Sequence, residues 1–265
     1  MMLKVNGIYK TFNKGTVNEK RALNGVDLEL NAGDFVTIIG GNGAGKSTLL
    51  NSICGVFPVD RGSIIIDGIN VTKLPEHKRA KYLGRVFQDP MMGTAADMWI
   101  EENMSLAYRR GKRRGLKWAI TGKERSQYRY MLSQLGLGLE NRLSSKVGLL
   151  SGGQRQALTL LMAVMQKPKL LLLDEHTAAL DPKTAETVLN LSDKFIAEGK
   201  LTAMMITHNM KDAIAHGNRL IMMHEGRIIY SVSGEEKKAL TVDDLLKKFA
   251  DLSGEEFTND RALLN

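Results

Sequence analysis

The segment from Gly40 to Ser47 reads Gly-Gly-Asn-Gly-Ala-Gly-Lys-Ser, and these residue types can hold phosphate groups. Glycines let backbone N–H groups turn towards an anion, because no side chain obstructs them. The lysine supplies a point charge, the serine hydroxyl suits Mg²⁺, and a following helix adds the positive end of its dipole. This P-loop pattern predicts a nucleoside triphosphate held by Gly41, Asn42, Gly43, Ala44, Gly45, Lys46, Ser47 and Thr48.

Two acidic residues, Asp174 and Glu175, follow a run of four leucines. An unbroken apolar run indicates a buried strand, and ligands gather at the carboxyl ends of the strands in a parallel sheet. Asp174 is therefore predicted to hold the metal through its waters, and Glu175 to polarise an attacking water as general base. The alternative is that the two acids only cap the next helix.

The elements that must position these residues follow from the apolar pattern. An apolar run at 35–39 predicts a buried strand before the P-loop, and 46–53 predicts the helix behind it. From 91 to 166 the chain is rich in Leu, Met, Gln, Arg and Glu with helical periodicity, which predicts a helical insertion. Further strands are predicted at 3–9, 23–30, 64–66, 85–87, 170–173 and 202–206, and further helices at 183–198 and 242–249.

Together these elements predict an α/β fold: a P-loop NTPase core with a mainly parallel sheet, an N-terminal antiparallel β subdomain and an inserted α-helical subdomain. We expect one domain, with residues 1–90 and 167–252 forming the core and 91–166 the helical subdomain. Residues 253–265 are polar and are expected to form a loosely held tail.

The chain of 265 residues carries 37 basic and 29 acidic side chains, and the formal charge is +8. Six of the basic residues lie between Arg109 and Lys117, where they suit anionic lipid, nucleic acid or an acidic partner, or form only a solvated loop. No nucleic-acid partner is expected, because flanking aromatics alone are a weak signal. A single cysteine, Cys54, fits a reducing compartment. No run of eighteen apolar residues and no signal peptide is visible, so no membrane span is expected.

The stretch Leu150-Ser151-Gly152-Gly153-Gln154 resembles the signature motif of the ABC ATPase superfamily. Three more pieces stand in the family's order: Gln88 resembles the Q-loop glutamine, 178–181 the D-loop, and His208 the switch histidine. The resemblance covers nearly the whole chain. Ser151 is also a good N-cap, and a helix that begins there attracts an anion at its N-terminus.

The resemblance implies a homodimer in which two ATP molecules are sandwiched between head-to-tail copies. Hydrolysis removes the γ-phosphate bridge, and the two copies part. The γ-phosphate of the nucleotide on the opposite copy would be gripped by Ser151, Gly152, Gly153 and Gln154.

The resemblance also assigns roles within one copy. Gln88 would contact the metal or the attacking water, so the metal ligands would be Ser47, Gln88 and Asp174. His208 would bond the γ-phosphate and align Glu175, and the catalytic set is Glu175, His208, Lys46 and Gln88. Asp181 would reach across the dimer interface. Phe12 would stack on adenine; Tyr9 is the alternative, and an ordinary core role for Phe12 is another.

Two positions depart from the family's pattern. Ala178 stands where the D-loop usually has serine, which removes a hydroxyl from the interface. His176 follows Glu175 where proline, alanine or serine is commoner, and it either tunes the pKa of the glutamate, or only packs, or faces solvent. Neither change removes a catalytic group, so ATP hydrolysis is still predicted.

The insertion between Gln88 and Ser151 is where such subunits receive a coupling helix from a membrane protein. Because 144–149 lacks the acidic segment of many exporters, the chain looks like the motor of a bacterial importer of a small solute. An integral membrane permease, an extracytoplasmic substrate-binding protein and a place on the cytoplasmic face of the cell membrane are then implied. The alternative is a soluble member, such as an iron–sulfur cluster assembly ATPase.

A finer resemblance concerns residues 174–182 and 222–227. They look like a bacterial group of ATPases associated with substrate-binding lipoproteins, some of them linked to aromatic amino-acid uptake. This resemblance suggests that the solute is tryptophan or tyrosine.

Overall fold

The structure is a computed structural model and describes residues 1–112 and 120–253. Half of the basic cluster, the flanking Trp118 and nearly all of the predicted tail lie outside the described residues. The strands are β1 (Leu3–Phe12), β2 (Lys20–Leu30), β3 (Phe35–Ile39), β4 (Arg61–Ile66), β5 (Ile69–Asn70), β6 (Leu83–Val86), β7 (Leu170–Asp174), β8 (Thr202–Ile206), β9 (Arg219–His224) and β10 (Arg227–Ser233). The α-helices are α1 (Lys46–Cys54), α2 (Glu76–Arg79), α3 (Ile100–Tyr108), α4 (Gly122–Ser133), α5 (Gly152–Val164), α6 (Pro182–Gly199), α7 (Met210–Ala215), α8 (Gly234–Lys238) and α9 (Val242–Ser253).

The N-terminal strands form an antiparallel sheet in the order β2-β1-β4-β5, as predicted. Strands β1 and β2 are longer than their patterns indicate. The pairing of β1 with β2 shifts register between Ile8 and Tyr9 and again between Lys10 and Thr11. Such bulges break the period-2 alternation, which explains why the pattern predicted an end at Tyr9.

The second sheet has the order β10-β9-β3-β8-β7-β6, and only β10 pairs antiparallel within it. Strands β3 and β8 are buried along their whole length, because helices cover both faces of a parallel sheet. Helix α1 lies between the two sheets, where Leu49, Leu50 and Ile53 join one core with side chains of both.

Parallel pairing brings the carboxyl ends of four strands to one edge. Strand β3 pairs with β8, β8 with β7, and β7 with β6, and the register aligns Asp174 with Ile206. The P-loop follows β3, Gln88 follows β6, Asp174 ends β7 and His208 follows β8. The sheet order therefore gathers residues that are far apart in sequence.

The segment between β6 and β7 contains α3, α4 and α5, which pack on a core that includes Met104, Tyr128, Leu132 and Leu158. The predicted helical insertion is confirmed, while its exact limits at 91 and 166 remain a prediction. Among the described residues, the helices are all too short or too polar to pass through a lipid bilayer.

Candidate active site

The P-loop connects β3 to α1 through backbone conformations that require glycine. Gly40 has φ +150°, and a Cβ there would lie 2.2 Å from the carbonyl oxygen of Met223. Gly45 has φ +101°, and its Cβ would lie 2.4 Å from the carbonyl oxygen of Ala22. Both distances are far below contact, so the loop closes this tightly only because these side chains are absent.

Lys46 is the first residue of α1 and is buried at 5% exposure. Its Nζ donates to the carbonyl oxygens of Gly40 at 2.6 Å and Gly41 at 3.1 Å, so the loop wraps around the ammonium group. The first turn of α1 contains no acidic residue. A glycine loop, a positive charge and an uncompensated helix N-terminus together suit the phosphates of a nucleotide.

Glu175 and His208 are joined by a hydrogen bond of 2.6 Å between Oε1 and Nε2. This hydrogen bond is the main cause that holds the pKa of Glu175 below its ordinary value, with help from the positive charges of His208 and Lys46, although burial acts in the opposite direction. Glu175 is therefore a carboxylate at neutral pH, and it can accept a hydrogen bond from water. Its φ of +48° is rare for a residue other than glycine, and such strain is typical of functional positions.

Asp174 lies one residue earlier and accepts a hydrogen bond of 3.1 Å from the Arg85 guanidinium. Burial raises the pKa of Asp174 above its ordinary value, and the charge of Arg85 opposes that shift. Among the described residues, no three His, Cys, Asp or Glu side chains are grouped so that they could hold a metal. A hard cation here would depend on Asp174, on uncharged oxygens such as that of Ser47, and on the phosphates themselves, which is the usual way to bind Mg²⁺.

Gln88 lies two residues beyond β6, exposed at the same edge. The structure thus brings together the P-loop, Asp174, Glu175 and His208, with Gln88 beside them, as the sequence predicts. The alternative for the acidic pair is not supported, because α6 is capped by Asp181 instead.

The signature segment begins α5 with a reciprocal cap. The Ser151 hydroxyl accepts from the backbone of Gln154, and the Gln154 side chain accepts from the backbone of Ser151. Ser151 and Gly152 are exposed, whereas Gly153 touches α6, since a Cβ there would lie 2.0 Å from Cγ2 of Thr184. Within the described residues, the side chains of this cap bond each other, and Gly152 and Gly153 lie against Leu180 and Thr184, so the helix end faces away from the P-loop of its own chain.

Asp181 caps α6 by accepting from the backbone N–H of Thr184 at 3.1 Å, and hydrogen bonds from the side chain and then the backbone of Thr184 lower the pKa of its carboxyl. The side chain is exposed, as is Ala178. Its predicted role at a dimer interface stays a prediction, because a local role in the cap is what the single chain reveals.

Phe12 ends β1 and packs edge-on against Phe57, with ring centroids 5.1 Å apart. Its partner across the hairpin is Lys20, whose Nζ would lie 3.0 Å from a Cβ at Gly43 of the P-loop. The hydroxyl of the alternative, Tyr9, lies against Gly25 instead. Phe12 is thus the aromatic residue on the P-loop side of the hairpin, and Lys20 is a cation at the cradle that sequence reasoning missed.

His176 is buried at 2% exposure, and its Nε2 lies 3.0 Å from the Ser192 hydroxyl on α6. Burial lowers the pKa of His176 to about 4, so the ring is neutral and serves packing. Of the three interpretations offered by the sequence, packing is supported, and a place facing solvent is wrong because the side chain is buried.

Gln156 is a second residue that sequence reasoning missed. Its side-chain amide donates to the carbonyl oxygens of His176 at 2.6 Å and Phe87 at 3.0 Å, and the residue is fully buried. It ties the signature helix to the backbone beside both Glu175 and Gln88. A polar residue on the otherwise apolar face of α5 is the signal that could have revealed it.

Comparisons with known proteins show which family the chain resembles. The profile of the ABC transporter family matches residues 23–178. The chain is 44% identical to the tyrosine transport ATP-binding protein of Clostridioides difficile, over 94% of this chain and 98% of that protein. It is 33% identical to the energy-coupling factor transporter ATP-binding protein EcfA2 of Acetivibrio thermocellus, over 86% of this chain and 78% of that protein.

The solved structures to which the chain is similar include ATP-binding cassettes. A dimeric ATP-binding cassette in a post-hydrolysis state, bound to ADP and Pi, superposes with a TM-score of 0.75 and 30% identity, over 88% of this chain and 98% of that one. The ADP conformation of another cassette from an ABC transporter superposes with a TM-score of 0.78 and 28% identity, over 96% and 99%. These likenesses confirm the predicted fold class.

Proposed function

The chain belongs to the ABC transporter family, as an ATP-binding and ATP-hydrolysing subunit, and on that premise we propose that it drives import of an aromatic amino acid, with tyrosine the first candidate. The transport interpretation is confirmed over the iron–sulfur assembly alternative, since the relatives are transport ATPases. The observation that carries the proposed solute is the 44% identity along almost the whole tyrosine transport ATP-binding protein. The resemblance of residues 174–182 and 222–227 points to the same class of solute.

The proposed mechanism assigns hydrolysis to the sheet edge. Lys46 and the P-loop amides would hold the β- and γ-phosphates, while Ser47, Gln88 and Asp174 would hold Mg²⁺, which supplies charge neutralisation at the phosphates when bound. Phe12 would stack on the adenine ring. These roles are supported by the tight loop around Lys46 and by the place of Asp174 at the end of β7.

The attacking water would be oriented by Glu175, which is held in place by the 2.6 Å hydrogen bond to His208. The water oxygen bonds to the γ-phosphorus, the bond to the bridging oxygen breaks, and the proton passes to the Glu175 carboxylate. A carboxylate with a lowered pKa is a weak base, but phosphoryl transfer depends mainly on position and charge.

A second copy of the chain would complete the site, as dimers do in this family. Ser151 and Gly152 present an exposed helix N-terminus, and the first turn of this helix contains no acidic side chain. We propose that it binds the γ-phosphate on the opposite copy, with Gln154 as its cap and Asp181 at the interface. ATP then favours the closed dimer through contacts that ADP lacks.

The membrane permease would dock in a groove of about 520 Å³ between β6 and helices α3 and α5. The groove is lined by apolar side chains that include Met92, Leu106 and Met162, and both Met92 and Leu106 are more than half exposed. Such a patch suits an apolar helix of a partner. Peripheral attachment at the cytoplasmic face and an extracytoplasmic substrate-binding protein complete the proposal.

The test is to purify the tagged chain with its partners from gently solubilised native membranes, identify them by mass spectrometry, and rebuild the complex in liposomes. We expect a polytopic membrane protein among them, and ATP-dependent uptake of radiolabelled tyrosine through the rebuilt complex. Unlabelled tyrosine should compete, and alanine should not.

The complex with Glu175→Gln is the matched control, because it should bind ATP and transport nothing. Recovery with soluble proteins alone would overturn the transport proposal. Uptake of a different solute in the same liposomes would overturn only the assignment to tyrosine.

A further inference from the structure

Arg85 lies on β6, next to β7, and its guanidinium contacts both Asp174 and the Phe87 ring. It sits on β6 opposite Leu172 of β7, and its guanidinium donates to Oδ2 of Asp174 at 3.1 Å. The guanidinium also stacks on the Phe87 ring, 4.4 Å from the centroid. Only 14% of the Arg85 side chain and 14% of the Asp174 side chain are exposed, so the pair is largely shielded from water.

A shielded carboxylate needs a cation, because desolvation penalises its charged form. Besides the charge of Lys46, two cations could meet that need at Asp174: the guanidinium that is present, or a metal brought with the nucleotide. Both would act on the same carboxylate, and two positive groups close to it also repel each other. Binding of one therefore weakens the other.

The groove contains a second acidic residue, Glu76, with which the guanidinium of Arg85 could pair. Arg85 and Phe87 line the groove proposed for the permease, and Glu76 lines it too. The Arg85 Nε is buried and has no hydrogen-bond partner among the described residues, so one donor is already unused on this side. A guanidinium released from Asp174 can thus pair with Glu76 without leaving the groove.

We propose that Arg85 is a positioning residue that occupies Asp174 in the nucleotide-free chain and competes with Mg²⁺ for it. The inference rests on the proposed role of Asp174 as a metal ligand. Because Arg85 also lines the groove, a partner that draws the guanidinium away would ease metal binding at Asp174. The state of the groove and the readiness of the magnesium site are then linked through one side chain.

The experiment measures binding of the non-hydrolysable ATP analogue AMP-PNP to the full chain by calorimetry at pH 8, first in EDTA and then at increasing Mg²⁺. Arg85→Met should lower the Mg²⁺ concentration at half-maximal effect by roughly three- to tenfold, the size expected for a partly buried ion pair. Affinity in EDTA should change little. Arg85→Lys, which keeps the charge, should stay close to the parent.

Arg129→Met is the matched control, since it removes an exposed guanidinium on α4 and should leave the Mg²⁺ midpoint unchanged. An unchanged or raised midpoint in Arg85→Met would overturn the inference. If that variant does not fold, as judged by circular dichroism, Arg85→Gln replaces it with the same expected direction.

Asp174→Asn separates this inference from the function on which it rests. Loss of the Mg²⁺ effect in Asp174→Asn, with no shift in Arg85→Met, would overturn the role of Arg85 alone. A Mg²⁺ effect that persists in Asp174→Asn would overturn the assignment of Asp174 as a metal ligand, and the role of Arg85 with it.

Discussion

The P-loop and the signature segment are both helix N-termini suited to an anion, but one chain completes only the first. At the P-loop, Lys46 is buried and the loop carbonyls of Gly40 and Gly41 surround its ammonium group. At the signature, Ser151 and Gly152 are exposed, and the recorded side-chain bonds of the cap are internal to it. The single chain thus holds one closed phosphate-binding loop and one helix N-terminus that is exposed at its surface.

The difference shows how hydrolysis can be made to depend on association. Under the proposed mechanism each copy would bind nucleotide at its own P-loop, whereas the signature would act only after a second copy arrives. Gln156 ties the signature helix to the catalytic edge inside one chain, because it bonds the backbone next to Glu175 and next to Gln88. A partner that moves the signature helix would therefore also act on the catalytic edge.

The largest effect is expected for Glu175→Gln, which tests the catalytic edge beside the P-loop. Loss of a general base typically lowers turnover by about 10²–10⁴-fold. Nucleotide binding should survive, and an ATP-bound dimer should accumulate in size-exclusion chromatography. Glu198→Gln, at an exposed position near the end of α6, is the control and should hydrolyse ATP at the parent rate. Parent-like turnover in Glu175→Gln would refute the assignment of the base.

Lys46→Met removes the positive charge inside the P-loop. A hydrogen bond to a charged group is worth about 1.5–3 kcal/mol, so ATP affinity of the single chain should fall by roughly 10- to 100-fold. Calorimetry measures the affinity, with Lys194→Met on the surface of α6 as a charge-matched control. Equal affinities in the two variants would mean that Lys46 is not a phosphate ligand.

Low pH should destabilise the contact between the signature helix and the catalytic edge, because Gln156 of that helix bonds the backbone of His176. Because burial lowers the pKa of His176 to about 4 from 6.5, the unfolded chain binds more protons between these values, and stability falls as the pH drops below 6.5. Between pH 6.5 and 5 the free energy of unfolding should lose about 2 kcal/mol from this group. Urea denaturation at both pH values measures the loss. His176→Gln should lose correspondingly less, and equal losses would contradict the prediction.

The smallest effect on stability, about 1 kcal/mol, is expected for Ser151→Ala, which removes the cap of α5. ATP affinity of the single chain should not change, whereas dimer formation in the Glu175→Gln background should weaken. Thr121→Ala is a close control, because Thr121 forms the same reciprocal cap on α4. A dimer weakened equally by both substitutions would make the effect one of helix stability alone.

Much of the fold was predictable because its signals are local. The limits of β3 and β8 match the predicted ones, since both are short apolar runs that are buried on both faces. The limits of β1 and β2 do not match, because bulges hide the alternation. The motif positions of the candidate site were also predictable, since residue types such as those of the P-loop depend on backbone geometry within a few residues.

Sequence alone therefore determined which residues are the candidates for the chemistry, as with Lys46, Asp174 and Glu175, and which short segments must be buried. Only the tertiary structure decided their partners: Arg85 on Asp174 across 89 positions, Gln156 on Phe87 across 69, and Lys20 beside the P-loop. The physical reason is that periodicity and turn chemistry act over a few residues. The order β10-β9-β3-β8-β7-β6, which brings Arg85 beside Asp174, and the pairing of β1 with β2 in the other sheet, which places Lys20, both result from packing of the whole chain.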